Sequence, residues 1–211
     1  MNTGIKVSEN RVDVINRLSL LGISIDQVRE IALRAITAKY NAVSNHPQNA
    51  GGTLAYLEGV KTLRDELGKD SDWEIARPNN METIRNPQTK IEYAYSNVDY
   101  ACRVEHNPQP ISKKGKASKK AVDNNQLPLF EDDCNSSPVG NYQLWYVLVS
   151  EKNGHISAEV SLPTSMEDGC FTMFKERIFC VIDATSDEID DLYQVSSDEV
   201  EYNDEITISK K

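Results

Sequence analysis

The chain lacks any long apolar run, and this absence excludes the most. No segment approaches the roughly 20 consecutive apolar residues that a membrane-spanning helix requires. Met1, Asn2, Thr3, Gly4, Ile5 and Lys6 lack the charged-then-apolar pattern of a signal peptide. A cytoplasmic protein with no membrane partner is expected. Cysteine is scarce as well. Cys102, Cys134, Cys170 and Cys180 are widely spaced and form no Cys-x-x-Cys pair, so free thiols are expected rather than a disulfide framework. The three histidines, His46, His106 and His155, sit in unrelated turn-rich contexts, which assigns no metal site. There is no Gly-x-Ser-x-Gly, His-Glu-x-x-His, phosphate loop or dinucleotide fingerprint. No catalytic residue and no cofactor is implied. Glu167, Asp168 and Glu176 with Arg177 place carboxylates near a loop, but spacing alone does not separate acid–base pairs from solvated surface.

Positive charge is the next shortage. With 23 basic against 33 acidic residues the net charge is -10, which argues against a protein whose whole surface grips nucleic acid. The imbalance is local. Residues 187–211 hold nine acids against only Lys210 and Lys211, and so contribute seven of the ten negative charges. Such a run reads as a solvated tail, or as a mimic of DNA charge that inhibits a DNA-binding enzyme.

What is present is enough for one core: 39% of the 211 residues are hydrophobic. Ser24 precedes Ile25, Val28, Ile31, Ala32, Ala35, Ile36, Tyr40 and Val43, a three-four spacing that predicts an amphipathic helix. Val12, Ile15, Leu18 and Leu21 predict a shorter one that stops at Gly22, giving a helical hairpin. A third is expected from Thr53, with Tyr56, Leu57, Val60, Leu63 and Leu67 on one side and Gly68 at its end. Gly51, Gly52 and Thr53 before it could receive an anion, although no phosphate-loop lysine follows; a plain loop and cap is the simpler reading. Residues 89–95 alternate like a strand, 96–99 turn, and 100–104 alternate again, which predicts a hairpin. Arg77 and Arg85 lie in polar stretches beside it and could hold phosphate or carboxylate. Strands are also expected at 142–149, 155–162 and 177–182.

The predicted fold is α+β: N-terminal helices packed on a small antiparallel sheet, with a long disordered loop insertion and an acidic C-terminal tail. Residues 1–104 supply helices and hairpin, 105–140 a flexible lysine-rich loop, 141–186 a β-rich block completing the same domain, and 187–211 the tail. Two domains joined by the loop are the alternative.

The loop carries the one sharp functional signal. Gln126, Leu127, Pro128, Leu129 and Phe130 form an apolar cluster in otherwise polar sequence, just before Glu131, Asp132 and Asp133. A short extended peptide gains affinity by placing apolar side chains in preformed pockets. Leu129 and Phe130 are the anchors here, Gln126 can donate and accept, and Pro128 limits the ordering cost. The pentamer resembles the peptide with which bacterial polymerases and repair factors hold the replication sliding clamp, whose pattern is Gln, Leu or Met, any residue, Leu, Phe. That resemblance implies a clamp partner and a role in DNA replication or repair. The same side chains could instead plug the protein's own core, which would leave an ordinary adaptor. Lys113, Lys114, Lys116, Lys119 and Lys120 form the only basic patch; they are candidate contacts to DNA phosphates, or serve to keep the pentamer soluble. Residues 52–58, 114–118, 125–127 and 176–178 together loosely resemble proteins of bacteria and their mobile elements. This likeness implies a setting, phage or mobile element among them, and transfers no catalytic residue.

Overall fold

The computed structural model describes residues 4–125, 142–185 and 187–188. Residues 126–130 and the acidic tail beyond Glu188 lie outside the described residues. The elements run β1 (Lys6–Ser8), α1 (Arg11–Leu20), α2 (Ile25–Tyr40), α3 (Ala50–Leu67), β2 (Glu74–Ala76), β3 (Thr83–Asn86), β4 (Ile91–Asn97), α4 (Lys116–Asp123), β5 (Gln143–Lys152), β6 (His155–Glu167) and β7 (Cys170–Ala184). All strands join one seven-stranded sheet, ordered β1-β7-β6-β5-β4-β3-β2.

Local chemistry sets the helix ends. Asn10 accepts a hydrogen bond from Val12 N at the start of α1. Ser24 and Gln27 close a reciprocal capping box on α2. Past α1 the chain reverses at Gly22, whose φ of 70° is left-handed. There Ile23 N donates to Leu18 O and Gly22 N to Ser19 O, the paired bonds of a Schellman stop. α3 begins at Ala50, earlier than Thr53, and no side chain caps it.

Helices α1 to α3 cover one face of the sheet. Tyr93 and Tyr95 of β4, Trp145, Val147 and Val149 of β5, and Ile178 of β7 meet Leu18, Val28, Ile31, Leu63 and Leu67 there. The opposite face carries Leu144, Tyr146, Leu148, Phe171, Phe174 and Phe179 under Val98, Ala101 and Val122. Because both faces are covered, β5 reads as a continuous apolar run rather than an alternating one. The tightest approach is at Gly59 of α3, where a Cβ would lie 2.4 Å from the Tyr95 ring. Gly59→Ala is therefore expected to destabilise the fold by about 1–3 kcal/mol, as overpacking does. Urea unfolding checks this, with Gly52→Ala as the comparison, since a Cβ there meets nothing within 4 Å.

Several expectations need correcting. The sheet is neither small nor purely antiparallel: β4 pairs with β5 in parallel, and so does β1 with β7. The hairpin partner of β4 is β3, not residues 100–104. Those residues fold over the sheet because their donors find side chains: Ala101 N donates to Ser150 Oγ and Cys102 N to Glu159 Oε2. Cys102 has a φ of 55°, which takes it out of any ladder. The stretch 105–125 is not a free loop. Pro110 bridges Val98, Ile111 N donates to Asn97 O, and Lys114 N donates to Gly169 O. α4 then lays Ser118, Val122 and, just past its end, Asn125 inward. Their spacing of four and three residues makes a buried stripe that the intervening lysines obscure. Strands β5, β6 and β7 fall where strands are expected but run longer, and Arg85 belongs to β3.

Candidate functional site

Two regions bring chemistry together. The first is the root of the pentamer. Asn125 is 3% exposed, its Nδ2 donates to Leu144 O and Pro163 O, and its Oδ1 accepts from Leu144 N. Both amide hydrogens and the carbonyl oxygen are engaged, so the residue immediately before Gln126 is fixed to the start of β5. Asn125 follows α4, and Tyr142, the next described residue, precedes β5. Of the pentamer itself, Gln126, Leu127, Pro128, Leu129 and Phe130 lie outside the described residues.

The five lysines do not form one basic face. Lys116 and Lys120 are exposed on α4. Lys119 is spent on Met166 O at 2.7 Å and on Asp123 at 3.2 Å. Lys113 is exposed, while Lys114 turns inward, its Nζ 5.9 Å from the Tyr56 ring centre and 5.8 Å from that of Tyr146. Arg77 and Arg85 are engaged as well: Arg77 pairs with Glu82 and Arg85 with Glu74. Glu176 accepts a bidentate fork from Arg17 and contacts Lys6. These contacts hold its carboxyl below the usual range against the opposing effect of burial, which marks a structural ion pair rather than a general acid.

The second region is a cavity of about 580 Å³ at the carboxyl ends of the parallel strands β4 and β5. Lys114, Tyr56 and Asn97 line it together with the start of α3. Asn97 is held on both sides, accepting from Tyr95 Oη and donating to Gly52 O. Two acids stand on the walls and both are occupied. Asp99 accepts from Tyr100 N, Gln109 N and His106, and Glu151 from Lys39 Nζ and Gly154 N. Lys114 makes no ion pair among the described residues, and desolvation lowers its ammonium to about 8.

That lowered value gives a stability prediction. A lysine whose folded pKa falls below its unfolded value destabilises the fold in its charged form; the penalty is complete below about pH 8 and fades as pH rises toward 10.5. Lys114→Met keeps the apolar stem and removes the charge. It is expected to raise the melting temperature at pH 7 and to raise it less at pH 10. The parent–variant difference is the quantity to measure, because buried Cys102, Cys180 and Tyr95 carry pKa values raised by desolvation and also titrate at high pH.

A wider cleft of about 730 Å³ lies near Trp73 and the start of α2, but its deepest cation, Arg29, is held by Asp26 at 2.9 Å. Among the described residues no cluster of His, Cys, Asp and Glu is arranged for a metal ion, and no helix is long and apolar enough to cross a membrane. Sequence reasoning singled out part of one wall, Gly52 and Thr53 as a possible anion receiver, but missed the cavity, because its walls come from α2, α3, β4, β5 and the segment after β4, brought together only by the fold. No protein-family model, curated protein or solved structure matches this chain.

Proposed function

We propose that the protein is a non-enzymatic binding protein that docks on the bacterial DNA sliding clamp through residues 126–130. It would modulate replication or repair, either on its own chromosome's behalf or for a phage or mobile element that displaces host factors from the same clamp pocket. The reading rests on the pentamer and is supported by one structural observation, the hydrogen-bonded Asn125 that immediately precedes it. A recognition peptide attached to a fixed point explores less space than one at the end of a free linker, and binding then loses less entropy. Lys116 and Lys120 are exposed on the adjacent helix and would supply positive charge toward the DNA that a clamp encircles.

Calorimetry tests the proposal with the clamp and two proteins, the intact chain and one in which residues 126–130 are replaced by a Gly-Ser spacer of equal length. Heat of binding from the first and none from the second is the expected result. Absence of binding by the intact chain overturns it. The acidic tail offers the competing reading, a mimic of DNA charge. Removing the residues after Asp187 should leave clamp binding and thermal stability unchanged, whereas a DNA mimic would lose its inhibition of a DNA-binding enzyme on the same truncation.

A further inference from the structure

We propose that the cavity at the carboxyl ends of β4 and β5 is a binding site for a small phosphate-bearing molecule, with the Lys114 ammonium as its main anchor. Such a site is separate from the clamp-binding pentamer and uses different residues.

The argument begins with the charge left over inside the cavity. The chain as a whole is strongly acidic, yet only two acids stand on these walls: Glu151, paired with Lys39, and Asp99, held by Tyr100 N, Gln109 N and His106. Lys113, Lys114 and Lys152 line the same space, and none makes an ion pair among the described residues. Lys152 lies over the Tyr100 ring at 4.8 Å. Lys114 is the deepest of the three, set between two aromatic rings with no carboxylate to neutralise it. A desolvated cation left unpaired reduces stability, and a bound anion would remove that penalty.

The backbone fits the same ligand. In sheets with parallel strands, ligands lodge beyond the carboxyl ends, and β4 and β5 both end at this cavity. The 18-residue helix α3 begins beside it with no capping side chain; Ala50 N and Thr53 N are bonded to Pro47 O and Asn49 O, which leaves the Gly52 amide on the cavity wall, at the positive end of the helix dipole. Asn97 keeps one amide hydrogen beyond its bond to Gly52 O, whereas the Thr53 hydroxyl is committed to Asn49 O; Tyr56 offers an apolar wall for the organic part of the ligand. Four lysines line these walls, Lys39 among them, against the two acids Asp99 and Glu151; the excess of two positive charges matches a phosphate dianion and exceeds what a single carboxylate neutralises.

The test is a titration of the full chain with inorganic phosphate, followed by amide and lysine side-chain NMR. Saturable shifts at Lys114, Gly52 and Asn97 are expected, and Lys114→Met should weaken binding by about tenfold or more, the scale of a charge-assisted contact. Lys175→Met, exposed on β7, should bind as the parent does. A measurement on the unaltered chain backs up the variant: phosphate should suppress acylation of Lys114 by an amine-reactive reagent while Lys175 remains labelled. Shifts that rise without saturating, a Lys114→Met variant that binds as well as the parent, or undiminished labelling of Lys114 would each overturn the proposal. Acetate binding as tightly as phosphate would overturn the choice of phosphate.

Discussion

Replacing Leu129 and Phe130 together by alanine is expected to weaken binding to the sliding clamp by at least about a hundredfold, because buried interface anchors commonly contribute about 2 kcal/mol or more each. The melting temperature should stay where it is. Val122, buried on the inner face of α4, and Asn125, bonded to β5 and β6, already secure the fold at this point. Leu129 and Phe130 follow them in the chain. The opposite pattern is equally readable. Large-to-alanine changes in a core lose about 2–5 kcal/mol apiece, so a plug packed against its own domain would show a sharply lower melting temperature. A lower melting temperature together with no clamp binding by the parent would defeat the docking proposal.

How much of this molecule can be read from sequence depends on how local each feature is. The capping box of Ser24 and Gln27 and the stop at Gly22 are written within a few residues, and α1 and α2 are found where these signals put them. The tight hairpins are equally local. Asn153 and Gly154 both take positive φ between β5 and β6, and so do Asp168 and Gly169 between β6 and β7. The second of these dipeptides, an ordinary type I′ turn signal, is easily mistaken for part of a carboxylate cluster. α4 is harder to read, because Lys116, Lys119 and Lys120 dominate its composition while only small or uncharged residues, Ser118, Ala121 and Val122, face inward. Parallel pairings are the hardest. The β4–β5 register joins Ile91 to Gln143 and Asn97 to Val149, partners about fifty residues apart, with no turn between them to announce the pairing. The cavity that depends on that register was therefore hidden too.

The second large effect concerns the buried pair that pins the segment after β4 to the sheet. Arg177→Met is expected to destabilise the protein by about 3–5 kcal/mol, the usual result of breaking a buried ion pair from one side. Glu159 and Arg177 both have side chains that are 0% exposed. The guanidinium donates to both carboxylate oxygens, at 2.9 Å through Nε and 2.7 Å through Nη2. Its remaining nitrogen donates to the carbonyls of Arg103 and His106, each at 2.9 Å. The carboxylate also accepts from Ser161 Oγ and Cys102 N. Losing Arg177 would strand a buried negative charge and two backbone carbonyls at once. A second substitution separates pairing from packing. Glu159→Gln in the Arg177→Met background removes the orphaned charge and still accepts from Cys102 N, so the double variant should be more stable than Arg177→Met alone. Urea unfolding of the parent, both single variants and the double completes the cycle. If Arg177→Met fell within about 0.5 kcal/mol of the parent, the range of ordinary surface changes, the pair would not be what holds residues 99–109 in place. The expected loss would instead loosen that segment first, and with it the wall of the cavity that carries Asp99 and Lys114.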